Sequence, residues 1–252
     1  MPAMRMRQLC AAVVLMLAGS GVLADYAKGR EALARKDYQQ AGVEFEAAAK
    51  GGSLQAMAAL GLLYNEGLGV ERDAKRAFEW FEKAAEAGHV PSQGQLAGMY
   101  STGQGTPKHD AKSLFWARRA AEGGDPVSQY IMGVRNAEGM SVRRNAGQAL
   151  LWFGAAAEQG HPQAQYSMGF LMTQGAALNK SEVEARELRQ QAYKWLLIAK
   201  RSGIVAAQQG LGKLAPLLSA DQISKAESEA AAWKPIGAGK ATVAPEGIQV
   251  TQ

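Results

Sequence analysis

The chain has 252 residues, 47% apolar and 20% charged, with a formal net charge of +5, three histidines and one cysteine. The positive excess is small and spread along the chain, which excludes the clustered basic footprint of a nucleic-acid binder. A lone cysteine excludes an internal disulfide and a cysteine-ligated metal site.

Arg5 and Arg7 open the chain, followed by the apolar run LCAAVVLMLAG and then SGVLAD. A basic start, an apolar run of about 7–15 residues and small residues at a cut site describe a secretory signal peptide. Val22 and Ala24 stand three and one residues before the cut, so residues 1–24 are expected to be removed and the mature chain to begin at Asp25. Cleavage takes away two arginines and no acid, which lowers the net charge from +5 to +3. The apolar run falls short of the roughly 20 residues that span a bilayer, as does every later segment, so no membrane insertion of the mature chain is expected. Gln8 and Leu9 precede Cys10 where lipid-modified signals carry small residues. The expected product is an unlipidated, cysteine-free protein, periplasmic or secreted.

Residues 25–52 read as a degenerate helical hairpin. Asp37 and Gln40 resemble a capping box, and Ala41, Phe45, Ala48 and Ala49 fall at helical spacing. Across residues 53–203 a pattern recurs. Gly67, Gly103, Gly139 and Gly175 follow one another at 36 residues; Trp80, Trp116 and Trp152 do the same, as do Gly88, Gly124 and Gly160. Trp195, Ala199 and Gly203 continue the series after a seven-residue insertion. A fixed period of about 20–50 residues marks a solenoid, so the glycines read as structural corners; a ligand loop would occur once.

Each repeat predicts a helix A, at about 55–66, 92–102, 127–138 and 164–174. Leu60, Leu96, Met132 and Met168 face inward, each followed by a small residue (Gly61, Ala97, Gly133, Gly169) that lets a neighbouring helix approach. Gly67 and its three successors are expected at the left-handed position that ends the helix. Helix B starts at the N-caps Asp73 and Asn145, with His109 aligned to them, and its buried stripe is Ala77, Trp80, Phe81 and Ala84. Residues 204–234 predict capping helices. A short one runs through Ala207, Leu211 and Gly212 to Pro216, and a last one runs from a Ser219–Gln222 capping box through Ala226, Ala230 and Trp233. Residues 235–252 have too few large apolar side chains to pack and are expected to form a flexible tail.

These residues resemble the Sel-one-like repeat (SLR) family of the tetratricopeptide-repeat superfamily. Residues 56–88 follow its pattern closely, residues 92–124, 128–160 and 164–203 follow it with substitutions, and the likeness extends over roughly 26–233. The resemblance implies an all-α fold, a right-handed α-solenoid superhelix of tandem antiparallel helix pairs. It also implies an adaptor or scaffold that binds other proteins along a concave surface. Some secreted relatives staple each repeat with a disulfide, which this chain cannot form.

No reactive constellation accompanies the repeats. Gly67-Leu68-Gly69 and Gly103-Gln104-Gly105 lack the following lysine and hydroxyl residue of a phosphate loop. His89 and His161 lie on separate turns, so no shared metal is expected; no nucleophile has its partners, and no carboxylate pair can be nominated. No catalytic, cofactor-binding or metal residue is therefore expected. The ladder of Trp80, Trp116, Trp152 and Trp195 admits sugar stacking, but its place between the alanines of helix B favours core packing. The expected function is an exported, non-enzymatic protein–protein interaction scaffold, acting as a monomer and without a cofactor. A cell-envelope enzyme or accessory factor acting on peptidoglycan is the alternative.

By the same resemblance, helix A lines the concave face. The positions one turn before and just after the small residue point into it: Ala58 and Leu62, Gly94 and Gly98, Tyr130 and Val134, Tyr166 and Phe170, Gln209 and Lys213. The candidate partner-binding residues are Ala58, Leu62, Tyr130, Val134, Tyr166 and Phe170. They suit the apolar face of a helix or an extended peptide. Packing against a preceding helix B is the other reading of the same side chains.

Overall fold

Prolines and short polar side chains decide where the helices begin. The computed structural model describes residues 21–237, and every regular element among them is helical. Residues 1–20, which hold most of the expected signal and Cys10, and residues 238–252 of the expected tail lie outside the described residues.

The chain divides into two compact units at Trp116–Ala117. Unit 1 holds α1 (described over 21–34), α2 (Tyr38–Lys50), α3 (Leu54–Glu66), α4 (Ala74–Glu86), α5 (Val90–Thr102) and the first part of α6 (Asp110–Glu122). Unit 2 holds the rest of α6, then α7 (Pro126–Glu138), α8 (Ala146–Glu158), α9 (Pro162–Leu178), α10 (Glu182–Arg201), α11 (Ala207–Leu214), a 3-10 turn (Ala215–Leu217) and α12 (Ala220–Ala232). Within each unit, consecutive helices pack on one another: α2 to α5 in unit 1, α7 to α10 in unit 2, with α11 and α12 both on α10. This is the α-solenoid of tandem antiparallel helix pairs that the repeat implies.

Ser53, Asp73, Asp125, Asn145 and Ser181 each accept a first-turn amide hydrogen, which satisfies a donor the helix itself cannot. Ser219 and Gln222 form the full reciprocal box. At Asp37 only half of it forms: the Gln40 amide donates to Asp37, while the Gln40 side chain turns to Glu44. Helices α5, α7 and α9 begin one or two residues earlier than the sequence pattern placed them. Pro91, Pro126 and Pro162 occupy their first turns, where a missing N–H costs nothing.

Gly67, Gly103 and Gly139 end α3, α5 and α7 in the left-handed conformation, at φ of 71°, 80° and 80°. Gly175 departs from expectation. Helix α9 runs through it to Leu178, and α10 reaches 20 residues. The seven-residue insertion is taken up by lengthening both helices, so the fourth glycine of the series sits in a helix interior.

The small positions of helix A take a side chain of helix B. A Cβ on Gly61 would meet the Phe81 ring at 2.7 Å, and one on Gly169 would meet Leu196 Cγ at 2.9 Å; Gly133 lies against the Phe153 ring in the same way. The first hairpin repeats the device with Gly29 and the ring of Phe45. Trp116, Trp152 and Trp195 are buried, as a core ladder requires. Trp80 is the exception: it is half-buried, with Lys83 Nζ 4.5 Å from its ring centroid, and the buried stripe of α4 is Ala77, Phe81, Ala84 and Ala85.

Helix α12 closes unit 2. Trp233 meets Trp195 edge-on at 6.0 Å and donates its indole N–H to Glu158 at 3.2 Å; Arg201 donates to the Ala230 carbonyl at 2.7 Å. A Cβ on Gly212, expected at a small position, would meet nothing within 4 Å, whereas one on Gly210 would meet Leu196 Cδ1 at 2.8 Å. The first residues after α12 are tied down as well, since the Ile236 amide donates to the Glu158 carbonyl at 2.8 Å.

Candidate partner-binding surface

In unit 2, α7 buries Ser128, Gln129, Met132, Gly133 and Asn136. That stripe leaves Tyr130 and Val134 on its flank, half-buried against the cluster that contains Phe153 and Trp195. The Tyr130 ring lies 5.8 Å from Phe153 and stacks on His161 at 4.7 Å. Helix α9 buries Ala164, Gln165, Gly169 and Ala176. Tyr166 and Phe170, one turn apart, stack at 6.0 Å with 22° between their planes. Tyr166 packs at the edge of the cluster around Leu196 and Leu211, while Phe170 is 50% exposed.

In unit 1 the aligned positions divide in the same manner. Ala58 on α3 is buried, and Leu62 is 47% exposed. Gly98 on α5 is exposed and Gly94 half-buried; in unit 2, Gln209 and Lys213 on α11 are exposed. The register of Leu62 and Phe170 is therefore open, and the register of Ala58 and Tyr130 contributes to packing. Of the six candidates, the fold brings Tyr166 and Phe170 into direct contact, and Tyr130 contacts His161. An apolar cleft of about 250 Å³ in unit 1, between α2 and α3, is lined by Val43, Leu60, Leu63, Tyr64 and Val70 and involves neither Ala58 nor Leu62.

His161 caps α9: its Nδ1 accepts the Ala164 amide hydrogen at 3.2 Å. Burial holds its pKa below the ordinary imidazole value, while the negative charge of Asp125 pulls in the opposite direction. Elsewhere on unit 2 the shifts have structural causes. A hydrogen bond from Arg189 holds Glu182 down, and burial raises Tyr193, with Glu227 adding to it. Among the described residues no group of three His, Cys, Asp or Glu is placed to hold a metal ion. What this surface offers is apolar contact area.

One repeated feature escaped the sequence reading. Gln93, Gln129 and Gln165 recur at 36 residues, all buried, and each donates its amide to the carbonyl of Ala85, Ala121 or Ala157 at the end of the preceding helix B, at 3.1–3.3 Å. The free oxygen of Gln129 accepts from Gln159 at 2.8 Å, and that of Gln165 from the Ser202 hydroxyl at 2.9 Å. Gln93 Oε1 has no such partner. The 36-residue period was the signal that could have found these glutamines.

The Sel1 repeat profile matches residues 54–89, 90–125, 126–161 and 162–204. Among solved structures, a Sel1 repeat protein from Oxalobacter formigenes is 29% identical, with a TM-score of 0.67 and coverage of 82% of both chains. The protein c5321 of uropathogenic Escherichia coli, described as a protective antigen with an SLR fold, is 28% identical with a TM-score of 0.68. That match covers 85% of this chain but 47% of c5321, so this chain spans about half of that relative. No curated protein matches the chain.

Proposed function

The chain belongs to the Sel1 repeat family, and from that premise we propose that it is an exported, non-enzymatic scaffold whose open helix-A register binds a protein or peptide. Sel1 repeats are generally protein–protein interaction modules, and the family's scaffolds are typically non-catalytic. The observation that carries the reading is the stacked Tyr166–Phe170 pair, with Phe170 half in solvent while the opposite face of α9 is core. A large aromatic side chain held out of the core by a rigid helix supplies contact area at little cost in conformational entropy, as interface anchors do. Leu62 occupies the same register in unit 1 with matching exposure. Tyr130 and Val134 form the half-buried flank of the unit 2 surface, while Ala58 is buried and packs beneath the Leu62 register. The occupant is the apolar face of a helix or an extended segment.

The test places a photo-cross-linking residue at position 170 or 62 in the native host and, in parallel, measures Phe170→Ala for binding and melting. A partner captured from position 170, with binding lost in Phe170→Ala at an unchanged melting temperature, supports the reading. Turnover of peptidoglycan fragments by the purified chain overturns the non-enzymatic part. Export rests on residues 1–24. Intact mass of protein from the native host should begin at Asp25, and retention of the leader or a lipid on Cys10 overturns it.

A further inference from the structure

The helix-A caps of the four repeats are Ser53, His89, Asp125 and His161. Four side chains at one structural position differ in one property: an imidazole gains a proton near neutral pH and the serine hydroxyl does not. His161 is the case where that matters most. Its Nδ1 takes the Ala164 amide hydrogen, which requires an unprotonated Nδ1 and therefore the tautomer with hydrogen on Nε2. His89 differs, because its Nδ1 faces the Ser92 hydroxyl at 2.8 Å, and a hydroxyl can accept as readily as donate.

We propose that His161 is an acid-sensitive pin: protonation of its imidazole breaks the cap of α9 and loosens the aromatic surface that α9 and Tyr130 form. Three physical effects favour the neutral ring. The cap bond is lost on protonation, a cation faces the positive end of the helix dipole, and the ring is half-buried. Three effects oppose them. Asp125 at the start of α7 attracts the cation, a backbone hydrogen bond at His161 favours it, and the stacked Tyr130 ring offers its face to it. Burial outweighs Asp125 and the backbone hydrogen bond, and the resulting shift is downward.

A histidine whose folded pKa lies below its unfolded value stabilises the fold at neutral pH. That contribution falls as pH drops below the unfolded value of about 6.5 and is exhausted below the folded value. The inference needs no partner, so it stands or falls apart from the binding proposal.

The test compares the full chain with His161→Asn, which keeps a good N-cap that does not titrate. Imidazole nitrogen shifts should show the Nε2–H tautomer at pH 7.5. Between pH 7.5 and 5.5 the unfolding equilibrium constant of the parent should rise relative to His161→Asn, by at most about tenfold per pH unit. Amide protection at Ala164 should fall relative to Ala56, whose amide is capped by the Ser53 hydroxyl at 3.2 Å. An Nδ1–H tautomer, or pH profiles that coincide for parent and variant, overturns the proposal.

Discussion

Gln129 shows how much a single polar side chain can hold when burial is complete. Its amide closes the end of the preceding helix B on Ala121, and its oxygen receives Gln159, which also donates to the Gly124 carbonyl. Alanine at this position removes the Gln129 donor from the Ala121 carbonyl, which keeps the Gly124 amide at 3.0 Å, and removes one acceptor from Gln159; a lost hydrogen bond costs about 0.5–1.5 kcal/mol net. Gln129→Ala should therefore lower the unfolding free energy by an amount in that range, read as a lower urea midpoint at unchanged slope. Gln129→Glu should be worse at pH 7, since it replaces a donor with a buried charge. A midpoint unchanged in the alanine variant would mean that water serves both groups equally well. The Trp152 ring is the apolar counterpart. Buried in α8, it should cost about 3–5 kcal/mol on truncation to alanine, and a smaller loss would point to a site that collapses readily.

At the level of the element, two glycines of one sequence series have opposite roles. Gly139 sits at φ 80° after α7, where any residue with a Cβ is strained by about 1–2 kcal/mol. Gly175 lies inside α9, and a Cβ there would meet only Leu188 at 3.9 Å, an ordinary contact. Gly139→Ala should lower the melting temperature, while Gly175→Ala should raise it, because alanine gains about 1 kcal/mol over glycine in a helix interior. Equal signs for the two would mean that α9 ends at its glycine like the other three. The pair also shows what was legible in the sequence. Period and composition identified the repeat, the caps and most of the core, because each needs one residue type at one place. The fate of Gly175 was not legible, since the seven-residue insertion could form a loop or lengthen two helices, and only the fit of Leu188 and Ala185 against α9 decides. The same limit applied to the binding surface. Spacing placed Tyr130 and Phe170 on similar flanks of their helices, but their burial depends on neighbours such as His161, which spacing does not reveal.

For the molecule as a whole, the repeat architecture predicts how damage spreads. Each helix pair buries its core against its immediate neighbours, so stability is a sum of pair terms and interface terms, and a loss at one end stays near that end. Helix α12 is the test case. It contributes Ala226, Ala230 and Trp233 to clusters built on α8 and α10, and it is the last helix among the described residues. Truncation after Leu218 removes these contacts, the Trp233–Glu158 hydrogen bond and the edge-on cover of Trp195. If the lost interface is worth about 3 kcal/mol, amide protection in α10 should fall roughly a hundredfold. Protection in α2 and α3 of unit 1 should hold, since α12 packs on α10 of unit 2. Hydrogen exchange read segment by segment decides the matter. Loss confined to the helices of unit 2 supports nearest-neighbour coupling, whereas an equal loss along the whole chain would show a single cooperative fold in which the repeats have no independent stability.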